Sequence, residues 1–158
     1  MANLLTTDVF QYYLDTSDAA EPVYTRVTED SSFNPSADKT TYSPSYKDRK
    51  VQPEYVVGKK IAVEYDIDIL DDQALQDWFR AHEWDDNVPT RLVRVDRSSG
   101  SEAERPAIMA AFVMNENPID GAAGEALKAT GTLTMTDADW TTGTFNESTK
   151  AFTAASGE

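Results

Sequence analysis

Alternation is strictest between Tyr55 and Ile69. Tyr55, Val57, Ile61, Val63, Tyr65, Ile67 and Ile69 take every second position, interrupted only by Lys59. Val56, Gly58, Lys60, Ala62, Glu64, Asp66 and Asp68 fill the positions between. Successive side chains of a strand point to opposite faces, so a period of two predicts one long strand with an apolar face and an increasingly acidic one. A buried row of carboxylates costs too much to survive, so the acidic face meets water. A strand this long needs partners, and the rest of the chain supplies them.

Residues 8–14 and 22–29 read as strands, the second alternating Val23, Thr25, Val27 and Glu29 with Tyr24, Arg26 and Thr28. After the long strand, Asp71 or Asp72 offers an N-cap. Ala74, Leu75, Trp78, Phe79 and His82 then recur at helical spacing, with Gln73, Gln76, Asp77 and Arg80 elsewhere on the wheel. The pattern predicts a helix of about three turns, ended by residues 85–89. Thr90–Asp96 reads as a short strand and 97–104 as a loop. Pro106–Met114 is nearly continuously apolar, as in a strand covered on both faces. Residues 115–125 are turn-rich, Ala126–Thr136 alternates again, and Phe145 and Phe152 flank a polar turn at Asn146–Thr149, a hairpin signal. The reading is a single domain over 1–158, mainly β with one helix.

Between the second and third strands lies a long polar stretch, Ser31–Lys50, with Asn-Pro and Ser-Pro steps. It reads as a loop, and loops of this length inside a compact domain are commonly functional or disordered. Phe33, Tyr42 and Tyr46 favour an arm that orders against a partner. The charge supports this. The chain has a net charge of −14, yet Asp38–Lys60 sets Lys39, Lys47, Arg49, Lys50, Lys59 and Lys60 against Asp38, Asp48 and Glu54. Six cations against three carboxylates make the segment +3 and leave −17 for the remainder. A basic arm on an acidic body suits head-to-tail contact between copies, which builds rings or open filaments.

The remaining chemistry is sparse. The chain has no Cys, so it holds neither disulfides nor a thiolate metal or redox site. Residues 1–14 lack the basic and apolar regions of a signal peptide, so none is expected. No run approaches the roughly 20 apolar residues that span a bilayer. A pI near 4.3 argues against ordinary nucleic-acid and anionic-membrane binding, which need basic surface. The one His, His82, falls on the apolar side of the predicted helix, where a structural imidazole fits better than a general base. Asp66, Asp68, Asp71 and Asp72 lack the glycine and closing glutamate of an EF-hand loop. Catalytic, metal and cofactor sites are therefore not expected. Asn146-Glu-Ser148 matches a glycosylation acceptor and is read as the hairpin turn.

The order of parts resembles the major tail tube proteins of long-tailed, non-contractile bacteriophages. The resemblance spans most of the chain. It rests on the arm at Ser31–Lys50, the strand VVGKKIAVEYDIDIL, the aromatic helix DDQALQDWFR and the ending GTFNESTKAFT. It implies a structural protein without enzymatic activity, folded as a β-sandwich or partial barrel flanked by one α-helix. A long extended arm, residues 31–52, would cross between subunits. Such subunits form rings, typically hexameric, which stack into a tube whose lumen conducts DNA. The tube works with tape-measure, tail terminator and distal tail proteins, in a virion tail assembled in the host bacterial cytoplasm. Carried onto this chain, the resemblance implies that Glu64, Asp66 and Asp68 face the lumen and repel phosphate, so DNA passes without specific binding. Phe33, Lys39, Tyr42, Tyr46, Lys47, Arg49 and Lys50 would make the inter-ring contact.

Other readings stay open. A tail terminator or head-completion component would form one closed ring. A monomeric carbohydrate- or protein-binding β-domain would use exposed Tyr and Trp as its contact surface. A metal-dependent hydrolase would need Asp66 or Asp68 for activity.

Overall fold

The structure, a computed structural model, describes residues 4–17, 21–28, 30–71 and 73–155. The described residues form one antiparallel sheet of ten strands and one α-helix. A 3-10 turn at Thr7–Val9 leads into β1 (Phe10–Asp15), followed by β2 (Tyr24–Arg26), β3 (Asp30–Tyr42) and β4 (Tyr55–Asp68). The helix α1 (Ala74–Ala81) precedes β5 (Val88–Asp96), β6 (Arg105–Met114), β7 (Ile119–Asp120) and β8 (Lys128–Met135). A hairpin of β9 (Thr141–Asn146) and β10 (Ala151–Ala154) closes the chain, with Phe145 opposite Phe152.

The main path through the sheet is β2-β1-β5-β6-β8-β4-β3. It forks at β6. One edge of β6 pairs with β5, while the other pairs with β9 over Arg105–Met109 and with β8 over Phe112–Met114. The path also curls: Tyr12 of β1 and Phe33 of β3, near its two ends, have ring centroids 4.8 Å apart.

Alternation divides the buried side chains between two clusters. The main one draws Leu14, Phe33, Val63, Tyr65, Ile67, Leu92, Phe112 and Leu133 from six strands against Leu75, Trp78 and Phe79 of α1. Phe79 stacks on Tyr65 at 5.1 Å. Burying each of these helix side chains contributes about 1.5–3 kcal/mol, which holds so short a helix in place. The second cluster, on the opposite face, packs Tyr13, Val93, Val95 and Ala107 against Phe145 of the closing hairpin.

The helix is two turns long, shorter than its pattern predicts. Its N-cap is Gln73, without a side-chain capping bond. Asp71 lies outside it and pairs with Arg80 at 3.8 Å, and Asp72 falls outside the described residues. Gln76, placed away from the apolar stripe by the wheel, is fully buried, with its Nε2 donating to the Asp68 carbonyl at 3.5 Å. The strand expected over 22–29 is confined to Tyr24–Arg26, and Glu29 lies outside the described residues.

The largest correction concerns Ser31–Lys50. Its first part is not a loop. Asp30–Tyr42 is a strand, paired antiparallel along nearly the whole of β4 from Asp30↔Ile67 to Tyr42↔Tyr55. Pairing, not periodicity, makes it a strand. Pro35 is tolerated because β3 is an edge strand, where a missing N–H breaks no second ladder.

Candidate functional site

β4 has two different neighbourhoods. From Ala62 to Asp68 it lies between β3 and β8. From Tyr55 to Ile61 it pairs with β3 alone, so the two strands leave the body as a ribbon. Seven residues at about 3.3 Å each carry it roughly 23 Å past the sheet. The ribbon is exposed on both faces: between Asn34 and Lys60 only Pro44 is buried and Pro53 half-buried. Two-stranded ribbons are marginal in water, and this one also leaves backbone edges open for pairing.

An irregularity between Thr40 and Thr41 shapes the distal ribbon. Thr40 opposes Gly58 and Thr41 opposes Val56, so Val57 is an extra residue on β4. Below this bulge, Lys39/Lys59 and Ala37/Ile61 continue the face that carries Val63 and Tyr65, while Asp38/Lys60 and Ser36/Ala62 continue the face of Glu64 and Asp66. Above it, Thr41/Val56 stays on the first face and Tyr42/Tyr55 moves to the second. Strict alternation had placed Tyr55 with Tyr65, and the bulge reverses that.

The connecting loop is organised. The Gln52 carboxamide accepts from the Tyr46 backbone N–H at 2.7 Å and donates to the Arg49 carbonyl at 3.0 Å. The Arg49 guanidinium sits 5.2 Å from the Tyr46 ring centroid, a cation–π contact. Tyr42, Tyr46, Val51, Tyr55, Val56 and Val57 are all exposed, Val51 to 83%. Apolar groups crowded onto a projection with no core of its own mark an interaction surface. Lys39, Lys47, Arg49 and Lys50 are exposed around them. Phe33 does not belong with these residues. It is 6% exposed and sits in the main cluster opposite Tyr65, so it anchors the ribbon's base and is not available to a partner.

The acidic row occupies the outer face at the root of the ribbon. Glu64 is exposed, opposite Asn34 on one side and Thr132 on the other. Asp66 and Asp68 are half-buried, because β8 brings Lys128 beside them with its Nζ 3.7 Å from a carboxylate oxygen of each. Thr130 and Thr132 continue this face. It is therefore hydroxyl-rich, with its negative charge partly offset by one lysine. Local pattern carries no sign of this, because the pairing of 62–68 with 128–134 joins distant segments.

His82 caps α1, half-buried, with Nδ1 3.0 Å from the Asp85 carboxylate. Ser17, His82 and Asp85 all line one open cleft of about 620 Å³. The Ser17 hydroxyl donates to the Glu21 carbonyl at 2.8 Å. Among the described residues no group of three or more His, Cys, Asp and Glu is arranged to hold a metal ion, and no helix is long and apolar enough to cross a membrane. Burial pushes the Tyr65 phenol above its ordinary pKa, so it stays protonated beside Asn117.

No protein-family model matches the chain, and no curated protein matches it either.

Proposed function

We propose that this chain is a self-assembling structural subunit of the tail-tube type, forming rings, six subunits in each, that stack into a conduit for phage DNA. The ribbon carries this reading. A subunit complete in itself gains nothing from a projection that exposes three tyrosines and three valines at once. A subunit that buries them against its neighbour gains both the apolar area and the pairing of open strand edges. The opposite charges of projection and body favour copies of the same chain as partner.

The outer face of β4 and β8 suits a lumen wall. Glu64, Asp66 and Asp68 repel phosphate, while Lys128 moderates the field and the threonine hydroxyls keep the surface wetted. DNA sliding past such a wall finds no cationic array to hold it. Tape-measure, terminator and distal tail proteins would then set the length and ends of the tube.

The test is negative-stain electron microscopy of the purified chain over a range of concentrations, with light scattering alongside. Rings and hollow filaments are expected. Closed single rings that never stack would identify a terminator-type component instead. A monodisperse monomer at every concentration, seeded or unseeded, would overturn the reading and favour a binding domain.

A further inference from the structure

Lys39 and Lys59 stand directly opposite each other on the ribbon, on the face that also carries Ile61 and Val56. Like charges in a cross-strand pair are destabilising. On the other face the neighbouring pair, Asp38 and Lys60, is of opposite sign. The first face has no carboxylate between Thr41/Val56 and Phe33/Tyr65. It presents two lysines and apolar side chains, and it lacks only anions.

A surface of the opposite character lies at the other end of β4. Ile69, Ala81, Ile119 and Leu127 line an open hollow of about 700 Å³ beneath α1, with Asp77, Arg80 and Glu83 at its margin. The Ile69 N–H donates to the Leu127 carbonyl at 2.9 Å and fixes the hollow's floor. Leu127 is 54% exposed and the adjoining Leu70 42% exposed. Asp71 pairs with Arg80, and Glu83 accepts from the Ile119 N–H at 2.8 Å. The hollow and its rim thus hold Asp71, Asp77 and Glu83 against Arg80.

We infer that this hollow is the receptor for the ribbon of a second copy: the Lys39/Lys59 face docks between Ile69 and Leu127 on one side and Asp77 and Glu83 on the other. The inference rests on reading the ribbon as an inter-subunit arm and supplies the surface that it meets. Lys59 of the donor face and Ile69 of the receptor are ten residues apart along β4 and its continuation, roughly 33 Å at about 3.3 Å per residue. Donor and receptor are different patches, so the contact is heterologous and propagates. Each added copy presents a fresh hollow or a fresh ribbon, and chains extend along the direction of β4. The ribbon extends away from its own hollow, so the contact is made to a different copy.

The absence of cysteine makes the contact directly testable. Val56→Cys and Leu127→Cys in one chain, oxidised mildly after concentration, should give a ladder of covalent oligomers on a non-reducing gel. Val56→Cys with Ser99→Cys, on an exposed loop, should not. Independently, K39E/K59E should weaken self-association at least tenfold, and adding D71K/D77K to the same chain should restore it. Ring or tube formation without the Leu127 ladder overturns the inference and leaves the tube reading standing. A Leu127 ladder made only of open head-to-tail chains, without rings, supports the inference and overturns the tube. No ladder, together with charge variants that associate like the parent, overturns it outright.

Discussion

Replacing Asp38–Lys60 with Asn-Gly separates the ribbon's role in folding from its role in assembly. Ala37 and Ile61 are directly paired, so a two-residue turn can join them, and Asn-Gly suits the twist of such a hairpin. The excised segment contributes no side chain to either buried cluster. Ile61, which packs against the main cluster, is kept. The expected change in unfolding free energy is that of surface substitutions, within about 0.5 kcal/mol. For a chain of this size that moves the melting midpoint by about 2 °C or less. The net charge shifts from −14 to −17, which adds repulsion between copies. Calorimetry should therefore find a body as stable as the parent, while sedimentation and microscopy find it monomeric. A large loss of stability would show that the ribbon belongs to the folding unit. Normal rings or filaments from the shortened chain would show that assembly does not run through the ribbon.

Three further outcomes follow from the geometry. A methyl group at Gly131 would press on Asn117 Oδ1 and lie 2.9 Å from the buried Tyr65 hydroxyl, so Gly131→Ala should destabilise by about 1–3 kcal/mol through overpacking; an unchanged urea midpoint would refute this. The Ser98 hydroxyl, 2.6 Å from Asp96, holds that carboxyl below its ordinary pKa, helped by the Ser98 backbone N–H. The contribution is present above the ordinary carboxylate range and fades as pH falls through the lowered value; Ser98→Ala should raise the Asp96 titration midpoint in NMR, and no movement would discard the assignment. Converting Glu64, Asp66 and Asp68 together to Lys should leave assembly intact and create salt-sensitive retention of duplex DNA by the assembled protein; assemblies that still ignore DNA at low salt would place this face away from any conduit.

The sequence revealed those elements whose two faces differ in environment. From Ile61 to Asp68, core and water lie on opposite sides and alternation is plain; the closing hairpin is legible because Phe145 and Phe152 bracket a polar turn. β3 was not legible. Beyond Phe33 both of its faces meet solvent, so no hydrophobic contrast could signal a strand, and its structure is imposed by a partner that the local sequence does not contain. The same limit hid Lys128, whose place beside Asp66 and Asp68 depends on sheet register. Gln76 was misplaced because a two-turn helix lying against strands buries more of its circumference than a stripe of apolar residues suggests. Among the proposed contact residues, Tyr42, Tyr46, Lys47, Arg49 and Lys50 lie together on the projection, whereas Phe33, grouped with them only by nearness in sequence, belongs to the core.

The extra residue at Val57 shows how the ribbon absorbs a change in length. A single residue added to one strand is taken up as a bulge, and the cross-strand pairs beyond it keep their partners and their sides, whereas changing both strands together alters reach. Deleting Val57 would therefore leave Val56 opposite Thr41 and Tyr55 opposite Tyr42, on the sides they already face. Length variation in this projection is thus buffered: paired changes tune how far a subunit extends, and a single one is swallowed before it reaches the surface offered at the tip.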